Sequence, residues 1–314
     1  MKKILTLAAL TALIGGASIA TWPAAGGLIY RASMALESTL YGLHTADADG
    51  GDIRLETYQG GPESAEAVVM IHGYSADKDV WLRFARHFTS DYRVIIVDLA
   101  GHGETPYDPA LRYDASSQGA RVMAMMDSLG IRRAHLIGNS MGGFIVARLA
   151  HDHPERVRSA TLIDAAGVTP PEPSVMGRMM AQGDNPFLFN DREGFQRFYP
   201  MTMAKAPWVP GITLDWIATQ YIAKRAQLAH IFADFHATGL LDGQLTEIRV
   251  PTLVMWGAQD QLVSPTAASI WCPGIPNCQR VTYDDLGHMP MIEDPTRSAA
   301  DVRRFLANLP AGTP

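Results

Sequence analysis

Cysteine is nearly absent from this chain, with two in 314 residues, and no charged residue or histidine occurs from Ile4 through Tyr30. Basic runs never exceed a pair, and 26 lysines and arginines are outnumbered by 32 acidic residues, leaving a net charge of −6. A nucleic-acid partner, which needs a basic stripe or patch, is therefore not expected. No Cys/His cluster has zinc spacing, and the serine chemistry read below calls for neither a metal nor an organic cofactor. Internal repeats and low-complexity tracts are also lacking. With 47% hydrophobic residues and this length, the chain can bury one large α/β domain carrying an insertion.

The uncharged stretch is longer than the roughly 20 residues that cross a bilayer as a helix. Met1-Lys2-Lys3, the apolar region from Ile4 to Ile14 and the small residues Ser18 and Ala20 also fit a secretory signal that is cleaved. Apolar character continues beyond that point, however, and Leu28, Ala32, Leu36, Leu40 and Leu43 recur at helical spacing. The reading preferred is an uncleaved anchor followed by an amphipathic juxtamembrane helix over residues 1–45, with Arg31 and Glu37 on its wetter side. Lys2 and Lys3 would keep the N-terminus in the cytoplasm and send the remainder across the membrane; a cleaved signal would secrete it. Such a helix has the bilayer as one partner and, through self-association, a homodimer as another. The cysteines, Cys272 and Cys278, flank two prolines and a glycine. They are expected to form a disulfide if the domain is exported and to stay reduced otherwise.

After a turn-rich break at Asp47 to Asp52, Ile53 to Tyr58 alternates like a half-exposed strand. Ala67 to Ile71, Val94 to Val97, Leu136-Ile137, Leu162-Ile163 and Leu253 to Met255 are short, continuous apolar runs. Helical patterns around Trp81 to Phe88, Val122 to Leu129 and Phe144 to Ala150 separate several of them. Strands buried on both faces and alternating with helices predict a mostly parallel sheet flanked by helices. This core would occupy residues 46–165 and 248–314. Between them, residues 166–247 are rich in Pro, Met and aromatic residues and lack any strand-like run, which predicts a helical cap; its Met and aromatic surface would largely pack internally, part of it lining an acyl pocket.

Chemistry enters at Gly138-Asn139-Ser140-Met141-Gly142-Gly143, directly after an apolar run and before a helical pattern. Strand, tight turn and helix in that order expose a strained serine at the end of a central strand, with Gly138, Gly142 and Gly143 relieving the steric crowding. A serine hydroxyl needs a base, and the base needs an orienting group. Asp260 follows the run ending at Trp256, and His288 lies in Leu286-Gly287-His288; Ser140, Asp260 and His288 thus make a candidate triad. The amides of Tyr74, in His72-Gly73-Tyr74, and of Met141 are candidates for an oxyanion hole. His72 is assigned to loop support rather than proton transfer. Asp164, also at a strand end, is a fallback for the triad acid, and Asp98 with Gly101-His102-Gly103 shapes a neighbouring loop.

These motifs resemble, in order and spacing, the α/β-hydrolase serine esterase and lipase family over nearly all of the chain after residue 50. More narrowly, His72 to Trp81 and Asn185-Pro186-Phe187-Leu188 look like membrane-anchored monoacylglycerol lipases and a related bacterial membrane-bound phospholipase A1. That resemblance implies hydrolysis of lipid esters with release of fatty acid. The Gly-Asn-Ser-Met-Gly-Gly sequence is also similar to that of carbon–carbon hydrolases of aromatic ring-fission products, which leaves that reaction as an alternative. A catalytically silent interaction protein is the alternative outside enzymes.

Overall fold

The computed structural model describes residues 23–309. The expected membrane-crossing segment falls mostly on residues 1–22, outside the described residues. Among the described residues no helix is long and apolar enough to cross a membrane. A helix, α1, runs over residues 23–40, and two strands, β1 (Leu43–Asp49) and β2 (Arg54–Gly60), follow it. The core then alternates β3 (Ala67–Ile71), α2 (Leu82–Ala85), β4 (Arg93–Val97), α3 (Ala115–Ser128), β5 (Ala134–Asn139), α4 (Met141–Asp152) and β6 (Val157–Ile163). Helices α5 (Val175–Ala181), α6 (Arg192–Thr202), α7 (Gly211–Ala223) and α8 (Arg225–His236) form the cap. The core closes with β7 (Thr252–Gly257), α9 (Ala268–Gly274), β8 (Cys278–Tyr283), α10 (Pro290–Glu293) and α11 (Pro295–Ala307).

Among the described residues eight strands form one sheet in the order β1-β2-β4-β3-β5-β6-β7-β8. Pairing is antiparallel at β1-β2 and β2-β4 and parallel from β4 onward. The apolar runs are continuous because both faces are covered: Val69 and Ile71 pack with Phe144 and Ile145 on one side, Val68 and Met70 with Phe84 and Phe305 on the other. The helical pattern around Trp81 shrinks to the short α2, which packs Leu82 and Phe84 under the sheet.

Two expectations change at the N-terminus. The apolar spacing carried the helix to Leu43 and placed a turn at Asp47, but α1 ends at residue 40 and Leu43 opens β1. In this edge strand only Leu43 and Ala48 are buried, so it carries too little apolar pattern to announce itself; its register comes from β2, including Thr57 Oγ1 donating to Ala46 O at 2.6 Å. The stripe on α1 also faces away from the domain. Leu28, Leu36 and Leu40 are exposed, whereas Glu37 turns inward to a bidentate ion pair with Arg83. Gly26 and Gly27 explain the docking: a Cβ at Gly26 would lie 2.1 Å from Ile212 O, and one at Gly27 would lie 2.5 Å from Trp216 Nε1.

Cys272 and Cys278 are disulfide-bonded with Cα atoms 5.3 Å apart. Cys272 sits in α9 rather than in a loop, and Cys278 begins β8, so the bond ties the two elements.

Candidate active site

Ser140 stands between β5 and α4 with φ 57° and ψ −117°, a conformation that a side-chain-bearing residue adopts only when its surroundings enforce it. The enforcement is visible. Ser140 N donates to Ile163 O at 2.9 Å, and Ser140 O accepts from Phe144 N and Ala166 N. A Cβ at Gly138 would lie 2.2 Å from Gly142 O, one at Gly142 2.3 Å from Ile71 O, and one at Gly143 2.6 Å from Ala165 Cβ. These three positions exclude every larger residue, and α4 begins directly at the serine with its first amide, Met141 N–H, outside the helical bonding ladder.

His288 is 5% exposed and donates from Nδ1 to Asp260 Oδ2 at 2.7 Å. That bond leaves Nε2 as the free, basic nitrogen. Asp260 Oδ1 accepts from Leu262 N at 2.8 Å and Val263 N at 3.1 Å, so the carboxylate is tied from both ends. Ser140 and His288 line the same cavity, of about 920 Å³, together with Gly73, Tyr74 and Asn139. Asp260 lies behind His288, away from that wall.

His72 is buried with both ring nitrogens engaged. Nδ1 donates to Gly73 O at 2.7 Å, and Nε2 accepts from Leu99 N at 3.0 Å. Burial pushes its pKa down to about 4, so it stays neutral and braces the loop. Gly73 abuts the serine, since a Cβ there would lie 3.0 Å from Ser140 Cβ. Asp98 accepts from Lys78 N, Lys78 Nζ and Glu104 N, binding the loop through Gly101-His102-Gly103 to its neighbour. Burial opposes the charge on Lys78, but Asp98 and Glu104 outweigh it and hold the ammonium protonated beyond the ordinary lysine range. His102 is likewise held neutral by burial, its pKa lowered to about 3.

Sequence reasoning missed two positioning groups. Asn139 Nδ2 donates to His288 O at 3.0 Å and Ile163 O at 3.2 Å, joining the serine strand to the histidine loop. Glu293 accepts from Gly287 N, Met289 N and Lys205 N. An acidic residue shortly after a loop histidine was the available signal, but its partners are set only by the turn of α10.

The cavity draws its walls from the cap, from α1 and from the loop after β3. On the cap side are Phe198, Met203, Trp208 and Trp216; α1 contributes Tyr30, Met34 and Ser38; the loop after β3 contributes Asp77 and Asp79. Of the cap methionines, Met203 lines the cavity, while Met201 is buried in the core. Burial, then the neighbouring carboxylates, raises the Asp77 carboxyl well above its ordinary value. The cap is fastened over the site by Tyr74 Oη donating to Leu228 O at 2.7 Å and Lys224 Nζ donating to Gly103 O at 3.1 Å.

Known proteins bear on this arrangement. The alpha/beta hydrolase fold family matches residues 66–200 and 213–295. A Psychrobacter immobilis protein named Lipase 1 is 30% identical over 258 residues, covering 81% of this chain and 80% of its own. A monoacylglycerol lipase of Xenopus laevis is 28% identical over 267 residues, 81% of this chain and 79% of its own. A solved structure described as a membrane phospholipase A and bacterial virulence factor superposes with a TM-score of 0.88 at 32% identity, covering 98% of both chains. The chain belongs to the α/β-hydrolase family and, within it, to the carboxylic ester hydrolases.

Proposed function

We propose that this enzyme cleaves carboxylic esters of membrane glycerolipids through an acyl-enzyme on Ser140. The observation that carries the reading is the His288–Asp260 pair, joined at 2.7 Å, on the wall of the cavity that also holds Ser140. Ser140 Oγ attacks the ester carbonyl while His288 Nε2 takes its proton. The N–H groups of Tyr74 and Met141 meet the developing oxyanion, at about 3 kcal/mol of transition-state stabilisation each. Collapse breaks the carbon–oxygen bond to the alcohol, which leaves with the proton from His288. Water, deprotonated by the same nitrogen, then attacks the acyl-enzyme and releases the fatty acid. Asp260 holds the imidazole in the required tautomer throughout. A large apolar cavity beside the serine supports an acyl chain as the part of the substrate that is buried.

The enzyme works, in this reading, at a bacterial inner membrane with its catalytic domain in the periplasm, tethered by the uncharged N-terminal stretch. Exposed Leu28, Leu36 and Leu40 on α1 support contact with a lipid surface, and a disulfide supports an oxidising compartment. A homodimer through α1 would use the same face, which sedimentation of detergent-extracted protein tests.

Ser140→Ala is expected to abolish labelling by a fluorophosphonate and to lower ester turnover by several orders of magnitude; retained turnover rejects the assignment. Release of fatty acid from monoacylglycerol, lysophospholipid and diacylphospholipid vesicles identifies the lipid class. Intact mass of membrane-extracted protein tests the tether, because loss of about twenty N-terminal residues would mean cleavage.

A further inference from the structure

Asp164 follows β6, between the strands that carry Ser140 and Asp260, and its side chain is fully buried. Oδ1 accepts from Gly257 N at 2.9 Å, whereas Oδ2 has no hydrogen-bond partner. One carboxyl oxygen of Asp164, one of Asp260 and a ring nitrogen of His288 all lie within 4.8 Å of one another. A buried polar atom without a partner costs about 1–3 kcal/mol, and the residue is held at a φ of 47° that side-chain-bearing residues avoid. The bond to Gly257 N would be made as well by an asparagine, so it does not explain a carboxyl here.

A proton explains it. Two carboxyls this close and shielded from water do not both ionise. Asp260 accepts from Leu262 N, Val263 N and His288 Nδ1, while Asp164 accepts one N–H bond. The larger number of N–H donors on Asp260 thus favours the negative charge there and leaves a shared proton to Asp164. Burial first, and then the Asp260 charge, raises the Asp164 carboxyl well above its ordinary value. Glu293 of α10 also raises the Asp164 carboxyl, and the Tyr283 hydroxyl of β8, which feels Asp164 in turn, is bonded to Asp301 and covered by the Arg297 guanidinium.

We propose that Asp164 is a positioning residue for ester hydrolysis: a neutral acid whose O–H is directed at Asp260 and which thereby sets how tightly Asp260 holds a proton on His288. The inference rests on the triad of Ser140, His288 and Asp260. With Asp164 neutral, a single negative charge faces the imidazolium. With Asp164 ionised there would be two, and His288 would stay protonated and unable to accept the proton of Ser140.

The pH profile of kcat/KM on a water-soluble ester tests this in the full-length enzyme. Asp164→Ala removes the donor, so Asp260 acts undiluted on His288 and the acid limb moves up by about half a pH unit to one unit. Asp164→Asn, a neutral side chain that can donate from the same place, leaves that limb where the wild type has it. If both variants move the limb down, Asp164 carries a charge and the proposal is overturned. If neither moves it and only kcat or the melting temperature falls, the residue has a packing role and the proposal is equally overturned. Should the alanine variant fail to fold, Asp164→Leu, of similar volume and without a donor, takes its place. An unmoved limb with Ser140 still essential rejects the role of Asp164 alone, whereas turnover surviving Ser140→Ala rejects the triad beneath it.

Discussion

At the carboxyl edge of the sheet Asn139, Asp164, Asp260 and His288 are each at most 6% exposed, held by amides and carbonyls of neighbouring loops. Along α1, on another wall of the same cavity, Leu28, Leu36 and Leu40 are 63%, 60% and 69% exposed. The contrast separates two tasks. Apart from Asp164 Oδ2, the edge finds its partners within the chain, so its geometry is set by folding. The outer face of α1 has no such partner among the described residues, and its inner face is held by the glycine contacts, the Glu37–Arg83 pair and the Tyr30–Trp216 ring contact at 5.1 Å. The site geometry is therefore built in, whereas the proposed access of lipid depends on a surface offered to something outside.

The largest effect should come from the edge. Asp260→Asn keeps the shape but removes the charge that fixes the tautomer of His288, and turnover is expected to fall about 10⁴-fold. Kinetics on a soluble ester check it, and a loss below tenfold would place the acid elsewhere, with Asp164 the first alternative. Next comes acid stability. His72 and His102 are held neutral at pKa values of about 4 and about 3, below the usual 6.5. The unfolded chain takes up these protons first, so the stabilisation is complete above pH 6.5 and is lost as pH falls toward about 4 for His72 and about 3 for His102. The slope is about 1.4 kcal/mol per pH unit for each histidine. Denaturant midpoints measured across that window should fall steadily, and a flat profile would contradict the neutral loop.

The helix should respond differently. Leu36→Asp and Leu40→Asp are each expected to lower partitioning onto lipid vesicles about tenfold, from loss of roughly 1.5 kcal/mol or more of apolar burial. Flotation assays read this, with soluble-ester turnover measured alongside as a control for folding; unchanged flotation would remove α1 from the membrane contact. The smallest effect belongs to Glu37→Ala. Its partner Arg83 is about half exposed at 47%, and the change should cost at most about 1 kcal/mol of stability. A larger loss in thermal unfolding would mean that α1 is an integral part of the fold rather than an element leaning on it.

Legibility followed the same divide. Ser140 was readable because strand, turn and helix are neighbours in sequence and the glycines face backbone at contact distance. Asp260 and His288 were readable from chain order and strand-end position. Strand β1 was not, because an edge strand with two buried side chains has almost no apolar period. The roles of Asn139 and Glu293 were hidden as well, since each acts on a backbone group of the histidine loop that only folding brings within reach. The continuous apolar runs set the sheet, the Met- and aromatic-rich interval set the cap, and the residues of the candidate triad lie in three separated motifs. Local sequence can encode these because burial pattern and turn geometry repeat over a few residues. Which face of α1 meets the domain, and that a second carboxyl lies against Asp260, were decided by tertiary structure alone, because charge pairing and desolvation depend on distances across the whole sheet.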